Sequence, residues 1–282
     1  MRALAPAFPI LSALLLQAPQ PSQRFPALAR LSEEAEVFRS AIPQTVSEET
    51  LSQKAWEEPG RLRTRQLVSE YSIALLPDGF LHEVRQVTSV DGRQVRNPGK
   101  ARETLVRGLR SPSDRTRNRL LDELRRYGLS EPAADVAPLL LLFTKRRLPE
   151  YAFEAAGEAV IGAEKTEKIR YRQKAGSQSV MVRQDRRAIH QPLEGEIYCR
   201  KGDGLPLRIT LRGARQVRGR SYEEVFSVDY AMTPHGFLAP VSAVHRGYTG
   251  GQLRVENHFQ YKRFQKFAAS AEIKFSEVPE PQ

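Results

Sequence analysis

The chain has 282 residues, 44 Lys and Arg against 33 Asp and Glu, a net charge of +11 and one cysteine, Cys199. A single cysteine excludes an intrachain disulfide, so cysteine usage argues neither for nor against export. The length suits one large β domain or two small ones. The basic balance admits nucleic acid, anionic lipid or an acidic envelope polymer as partners, with an ordinary basic surface as the plainest reading.

Residues 1–22 read as a secretory signal peptide: Met1-Arg2, an apolar run from Ala7 to Ala18, then small and polar residues. The run is about a dozen residues, short of the ~20 that span a bilayer. Cleavage after Ala18, Gln20 or Ser22 is compatible with the pattern, although Pro19 disfavours the first. Residues 23–44 form a linker and a short amphipathic helix. From Ala27 to Ser40, Leu28, Leu31, Ala35, Val37 and Phe38 share a face, with Glu33, Glu34 and Glu36 elsewhere, and Pro43 stops the helix.

Residues 45–275 read as one β-rich domain. Thr45–Trp56 is a weakly alternating first strand, and Pro59-Gly60 a turn. Leu67, Ser69, Tyr71, Ile73 and Leu75 share one strand face; Phe80, His82, Val84, Gln86, Thr88 and Val90 share one face of the next. Pro77-Asp78-Gly79 joins them, and Asp91-Gly92 makes a second hairpin turn.

A helical insert occupies about 100–147. Leu105, Val106 and Leu109 fit one helix. Ser113 caps a second, whose stripe is Leu120, Leu121, Leu124 and Tyr127, with Arg115, Arg117, Arg119, Arg125 and Arg126 opposite and Gly128 at its end. Asp135 caps a third, Val136 to Phe143, with Pro138 in its first turn; Leu139 to Phe143 is apolar on all sides and so buried.

Strands resume at Tyr151 and Phe153, at Ile169 and Tyr171, and at Val180–Val182. Gly195–Cys199 then pairs with Leu205 onward through Lys201-Gly202-Asp203-Gly204. The last quarter is a meander of four strands, Leu205–Leu211, Tyr222–Tyr230, Phe237–His245 and Leu253–Phe267, each with period-2 apolar residues. After Tyr261 the beat slips, which predicts a β-bulge near Lys262–Arg263. Residues 276–282 form a loose tail. The expected fold class is mainly β (α+β): a large curved antiparallel sheet or open half-barrel, with the helical insert as lid or plug.

Particular strings carry a resemblance: VDGRQV after a hairpin, LLLLF closing the insert, GEIYCRKGDGLPLRITL, FLAPV followed by RGY, and YKRFQKF. They resemble a family of uncharacterised secreted proteins of Gram-negative bacteria. That family is similar to periplasmic lipoprotein carriers and outer-membrane lipoprotein-sorting proteins. The resemblance implies a half-barrel whose helical lid encloses an apolar cavity, in the periplasm or outside the cell. Where the family carries an aromatic-aliphatic pair followed by Asp-Pro, this chain has Tyr198-Cys199-Arg200-Lys201, and no functional residue is carried over.

Motifs of chemistry are sparse. G-x-S-x-G, H-E-x-x-H, a P-loop and G-x-G-x-x-G are all missing from the sequence. His82, His190, His235, His245 and His258 are scattered, with His245 and His258 on neighbouring strands. Cys199 has no adjacent base. Glu194 with Glu196, and Glu223 with Glu224, are carboxylate pairs of a kind that solvated strands carry routinely. Arg208, Arg212, Arg215, Arg218 and Arg220 oppose the aromatic face instead of interleaving with it, which disfavours nucleic acid. No catalytic residue, metal or cofactor is expected.

The candidate site is the apolar stripe itself. Phe226, Val228, Tyr230, Phe237, Val241, Phe259 and Tyr261 are expected to line the concave face. Two functions fit: a non-enzymatic periplasmic protein holding a lipid or acyl-bearing cargo, or an envelope scaffold with a solid core and a basic docking face for an anionic envelope surface. A hydrolase rests on the carboxylate pairs alone.

Overall fold

Alternating stretches become strands, and the register between them decides which side chains meet. The structure, a computed structural model, describes residues 25–58, 60–75, 81–111, 119–130, 135–177, 181–184, 187–190, 192–217 and 219–267. The signal-like start, the Pro77-Asp78-Gly79 turn, the Ser113 cap and the tail at 276–282 lie outside them.

The described helices are α1 (Pro26–Ala41), α2 (Pro98–Arg110) and α3 (Glu123–Tyr127). The strands are β1 (Thr45–Glu58), β2 (Arg61–Leu75), β3 (Leu81–Val90), β4 (Arg93–Gln94), β5 (Tyr151–Ile161), β6 (Glu164–Gln173), β7 (Met181–Gln184) and β8 (Arg187–His190). They continue with β9 (Leu193–Arg200), β10 (Pro206–Val217), β11 (Arg220–Met232), β12 (Leu238–Thr249) and β13 (Gln252–Lys266). An open 11-stranded antiparallel sheet runs β4-β3-β2-β1-β13-β12-β11-β10-β9-β6-β5, and β7 pairs with β8 separately. β4 and β5 stand at opposite edges of this sheet. The insert that connects them must therefore travel from one edge to the other.

Several predicted devices are present. Asp91 and Gly92 both have positive φ, 49° and 80°, as the Asp-Gly turn requires. The slipped beat after Tyr261 is an irregularity at Arg263, φ 58°, opposite a register shift between Val46 and Glu48.

Other expectations are corrected. Along α1 the buried face is Ala27, Leu28, Leu31, Glu34, Ala35 and Phe38, while Val37 is exposed. The helix is rotated so that Glu34 faces inward, where it pairs with Arg30 at 2.5 Å. β3 does not keep one inner face. A bulge opposite Val68/Ser69 turns Val87, Arg85 and Glu83 toward the same side as Ser69, Tyr71 and Ile73, and sends Val84 to the other.

The segment from Val136 is not an α-helix. Ala137–Phe143 is a 3-10 segment kinked at Pro138, and Asp135 caps nothing. Instead the Asp135 carboxylate accepts the Glu83 amide at 3.0 Å and lies 3.1 Å from His82 Nδ1. Sheet side chains accept from its amides: Ala137 N donates to Glu83 Oε1 at 2.9 Å, and Leu140 N, which an α-helix would turn to Val136 O, donates to the Tyr230 hydroxyl at 3.1 Å.

The insert wraps the β3 edge. Leu105 of α2 and Leu120 pack with Val46, Ala74 and Val84 on the outer face. At the edge, the Glu123 carboxylate accepts the Val87 amide at 2.9 Å and is held by Arg96, also at 2.9 Å. On the inner face, the 137–143 segment packs with α1 against the sheet. Leu28, Leu31, Phe38, Leu140 and Phe143 share one core with the inward strand residues.

Candidate functional site

The inner face is organised by an apolar row that crosses the sheet. Register links Ala155, Ile169, Ile197, Ile209 and Val228, then Ala243, Phe259, Leu51, Leu67 and Val90, each opposite the next. Side chains at alternate positions of successive strands line up this way because the pleat has period 2. From Ile169 to Leu67 every member is buried.

Six of the expected concave-face residues lie in the inner core: Phe226, Val228, Tyr230, Phe237, Phe259 and Tyr261, all between 0% and 4% exposed. Val241 does not join them; it is 38% exposed. Asp229 pairs with Ser242 and Tyr230 with Pro240, so Val241 is the extra residue of a bulge and its side chain leaves the inner face.

The cover completes the site. The Tyr230 hydroxyl donates to Ala137 O at 2.8 Å while accepting from Leu140 N, which fixes the 137–143 segment over the sheet. Phe143 meets Tyr171 edge-on at 4.9 Å between centroids. At the β5–β6 end, an opening of about 460 Å³ is lined by Phe25, Ala155 and Ile169 together with the charged Glu158, Glu167, Lys168 and Lys201. The first two members of the apolar row therefore line a surface opening.

Two polar clusters flank the row. In one, Arg85 Nε and Nη2 donate to both oxygens of Glu49, at 2.7 and 2.8 Å, and Nη2 also donates to Glu83 at 2.9 Å. The Tyr71 hydroxyl donates to Glu83 at 3.1 Å, and the guanidinium stacks over the Tyr71 ring. Burial opposes the Arg85 charge, but Glu49 and Glu83 outweigh it and hold the guanidinium protonated well above its ordinary range. Burial pushes the Glu49 carboxyl up, with Arg85 pulling the other way. Sequence reading missed this cluster. Glu49 sits on a strand of weak alternation, Glu83 and Arg85 sit on one whose inner face a bulge reverses, and only register brings residues 49 and 85 together.

In the other cluster, buried His245 lies 2.5 Å from Glu224 through Nε2 and 3.1 Å from Asn257 through Nδ1. Asn257 accepts from Gln53, whose amide also bonds Ser130 O and Leu129 N on the insert. His245 and His258 stand on neighbouring strands but do not share a face. His258 pairs in register with Val244, one residue away, and so faces outward, 3.1 Å from Glu256.

Nothing in these groups assembles a nucleophile with a base. Burial pushes the Cys199 thiol up to about 12, assisted by Glu167 and Asp203, which suits an inert core side chain. Glu194 and Glu196 are engaged by Arg172, Arg212 and Lys168 on the outer face. Arg208 pairs with Asp229, and Arg212 with Glu223. Among the described residues no group of three His, Cys, Asp or Glu side chains could hold a metal ion, and no helix is long and apolar enough to cross a membrane.

No protein-family model matches the chain, and no curated protein matches it in sequence. Solved structures are similar to it in chain course. A DUF1329 family protein from Desulfovibrio piger is similar over 89% of this chain and 97% of its own, at 11% identity and a TM-score of 0.42. A LolA superfamily protein from Nitrosomonas europaea covers 86% of this chain and 94% of its own, at 9% identity and 0.35. A domain assigned as an outer membrane lipoprotein-sorting protein, from Vibrio parahaemolyticus, covers 87% and 95%, at 8% identity and 0.37. These are proteins of the kind that the sequence strings resemble. At this level the likeness says nothing of cargo, partner or activity.

Proposed function

We propose that the protein holds an acyl or other apolar ligand between the inner face of its sheet and the α1/137–143 cover, and does no chemistry on it. The observation that carries this reading is the meeting of the surface cleft with the apolar row at Ala155 and Ile169. Such ligands bind where a few polar groups border an apolar lining; here Glu158, Glu167, Lys168 and Lys201 ring the mouth, and the apolar lining is the row that begins at Ala155 and Ile169. A cell-envelope location belongs to the same reading and rests on the signal-like pattern from Met1 to Ala18. The engaged carboxylate pairs and the buried thiol support a non-catalytic role.

The test is organic extraction and native mass spectrometry of protein exported to a Gram-negative periplasm, followed by titration with a fluorescent fatty acid. Stoichiometric lipid, or saturable probe uptake, is the expected result. Ala155→Phe, at an exposed mouth position, is expected to slow uptake by about fivefold without changing the melting temperature. Protein that is repeatedly empty and leaves the probe unmoved overturns the reading.

A second reading, an envelope scaffold, is favoured by one observation. Leu28, Leu31, Phe38, Leu140 and Phe143 are all at 0% exposure and fill the inner face with the protein's own side chains. It predicts no acyl ligand, and capture of a partner that is lost as salt is raised.

A further inference from the structure

The buried polar cluster contains more hydrogen-bonding capacity than the protein uses. Ser47 Oγ, Ser69 Oγ and the Tyr261 hydroxyl are buried and make no hydrogen bond among the described residues. Register gathers them. Glu49 stands opposite Ser69 on one side and Tyr261 on the other, and Ser47 stands opposite Tyr71, which in turn faces Arg85. The Tyr71 and Tyr261 rings lie 5.0 Å apart. Unmet buried hydroxyls are costly, and three in one patch call for a polar group from outside the chain.

The patch adjoins the apolar row directly. Glu49, Ser69 and Tyr261 are each two residues from a row member on the same strand: Leu51, Leu67 and Phe259. A ligand whose tail lies along the row would bring its polar end here. The charge selects that end. Two carboxylates surround one guanidinium, and Arg85 already satisfies both Glu49 oxygens and one of Glu83. The remaining oxygen of Glu83 accepts from Tyr71 and from Ala137 N. The cluster has no cation to spare for an anion and an excess of one negative charge. What it offers is hydroxyls that donate and accept.

We propose that the Ser47–Ser69–Tyr261 patch beside Glu49 and Arg85 is a head-group site for an uncharged, hydroxyl-bearing acyl ligand of the monoacylglycerol type, and that it discriminates against a free fatty acid. This rests on the acyl-ligand reading above. A carboxylate head would meet Glu49 and Glu83 in a buried setting, where like charges are poorly screened.

The test is calorimetric or native mass-spectrometric titration of the full chain at pH 8 with a monoacylglycerol and with the fatty acid of equal chain length. The monoacylglycerol is expected to bind at least about tenfold more tightly. Tyr261→Phe and Ser69→Ala are each expected to bring the ratio to within about twofold, chiefly by weakening the monoacylglycerol. Either variant suffices if the other fails to fold, as judged by thermal melting. Equal binding of the two ligands by the native protein overturns the head-group site and leaves the acyl-ligand reading standing. A preference that both variants retain also overturns it, since the hydroxyls then serve bound water alone. Binding of neither ligand overturns both.

Discussion

Tyr171 is fully buried on the inner face, and its hydroxyl donates to Thr210 O at 2.7 Å, across the neighbouring strand β9. It can do so only because position 195 lacks a side chain. A Cβ there would stand 2.1 Å from Thr210 O and 2.9 Å from the Tyr171 hydroxyl. Gly195→Ala is therefore expected to destabilise the fold by about 3 kcal/mol, the upper end of overpacking costs. Thermal or urea melting measures it. Adding Tyr171→Phe restores only part, because the Thr210 carbonyl remains. In the sequence Gly195 reads as no more than a hairpin residue. Phe226, Val228 and Phe259 were legible as inward residues because strict alternation needs only local pattern. Val241 was not, because one bulged residue reverses the face and leaves no trace in composition. Glu49, Glu83 and Arg85 were illegible for a different reason: nothing in a string of charges tells which strand will lie beside which.

Elements follow the same division. The helix at α1 and its termination were readable, but its rotation was not. Burying Glu34 with Arg30 as partner competes with burying Val37, and the neighbours decide. The insert was readable as helical around α2, whose Leu105 and Ala101 are buried at helical spacing. Its path round the β3 edge was not, because that path depends on hydrogen bonds to the sheet. Glu123 shows the point. Its carboxylate takes the place of a neighbouring strand for the Val87 amide and anchors Arg96, whose guanidinium also donates to Val87 O at 2.8 Å. Glu123→Ala leaves a buried amide unmet and is expected to cost about 2 kcal/mol. Hydrogen exchange at Val87 should accelerate by about thirtyfold if that cost falls on local opening. Unchanged exchange would mean that water or another side chain replaces the carboxylate.

The whole sheet is asymmetric at its two edges. On one side β3 is finished by Asp135 and Glu123, which accept the Glu83 and Val87 amides. On the other, among the described residues β5 pairs with β6 alone, carries a register shift between Ala155 and Glu158, and exposes Val160 to 65%. Such irregularities and charges blunt an edge against further pairing. The outward amides of β5 are expected to exchange at least about tenfold faster than those of Glu83 and Val87, which exchange mass spectrometry resolves. Protection at β5 equal to that of β3 would show that the free edge is occupied in solution.

The pairing of β1 with β13 has a consequence for the order of events in synthesis. Thr45 lies opposite Lys266, and Ala55 opposite Val255. A ribosome that has made everything up to Thr249 has produced a chain with two unfinished half-sheets, β1 and β12 each lacking the same missing neighbour. The join between the halves waits for the last strand, and contacts so distant in sequence form slowly. Each half can pair its own strands before then, but the continuous sheet, and the core that needs both halves, exist only once β13 has been made.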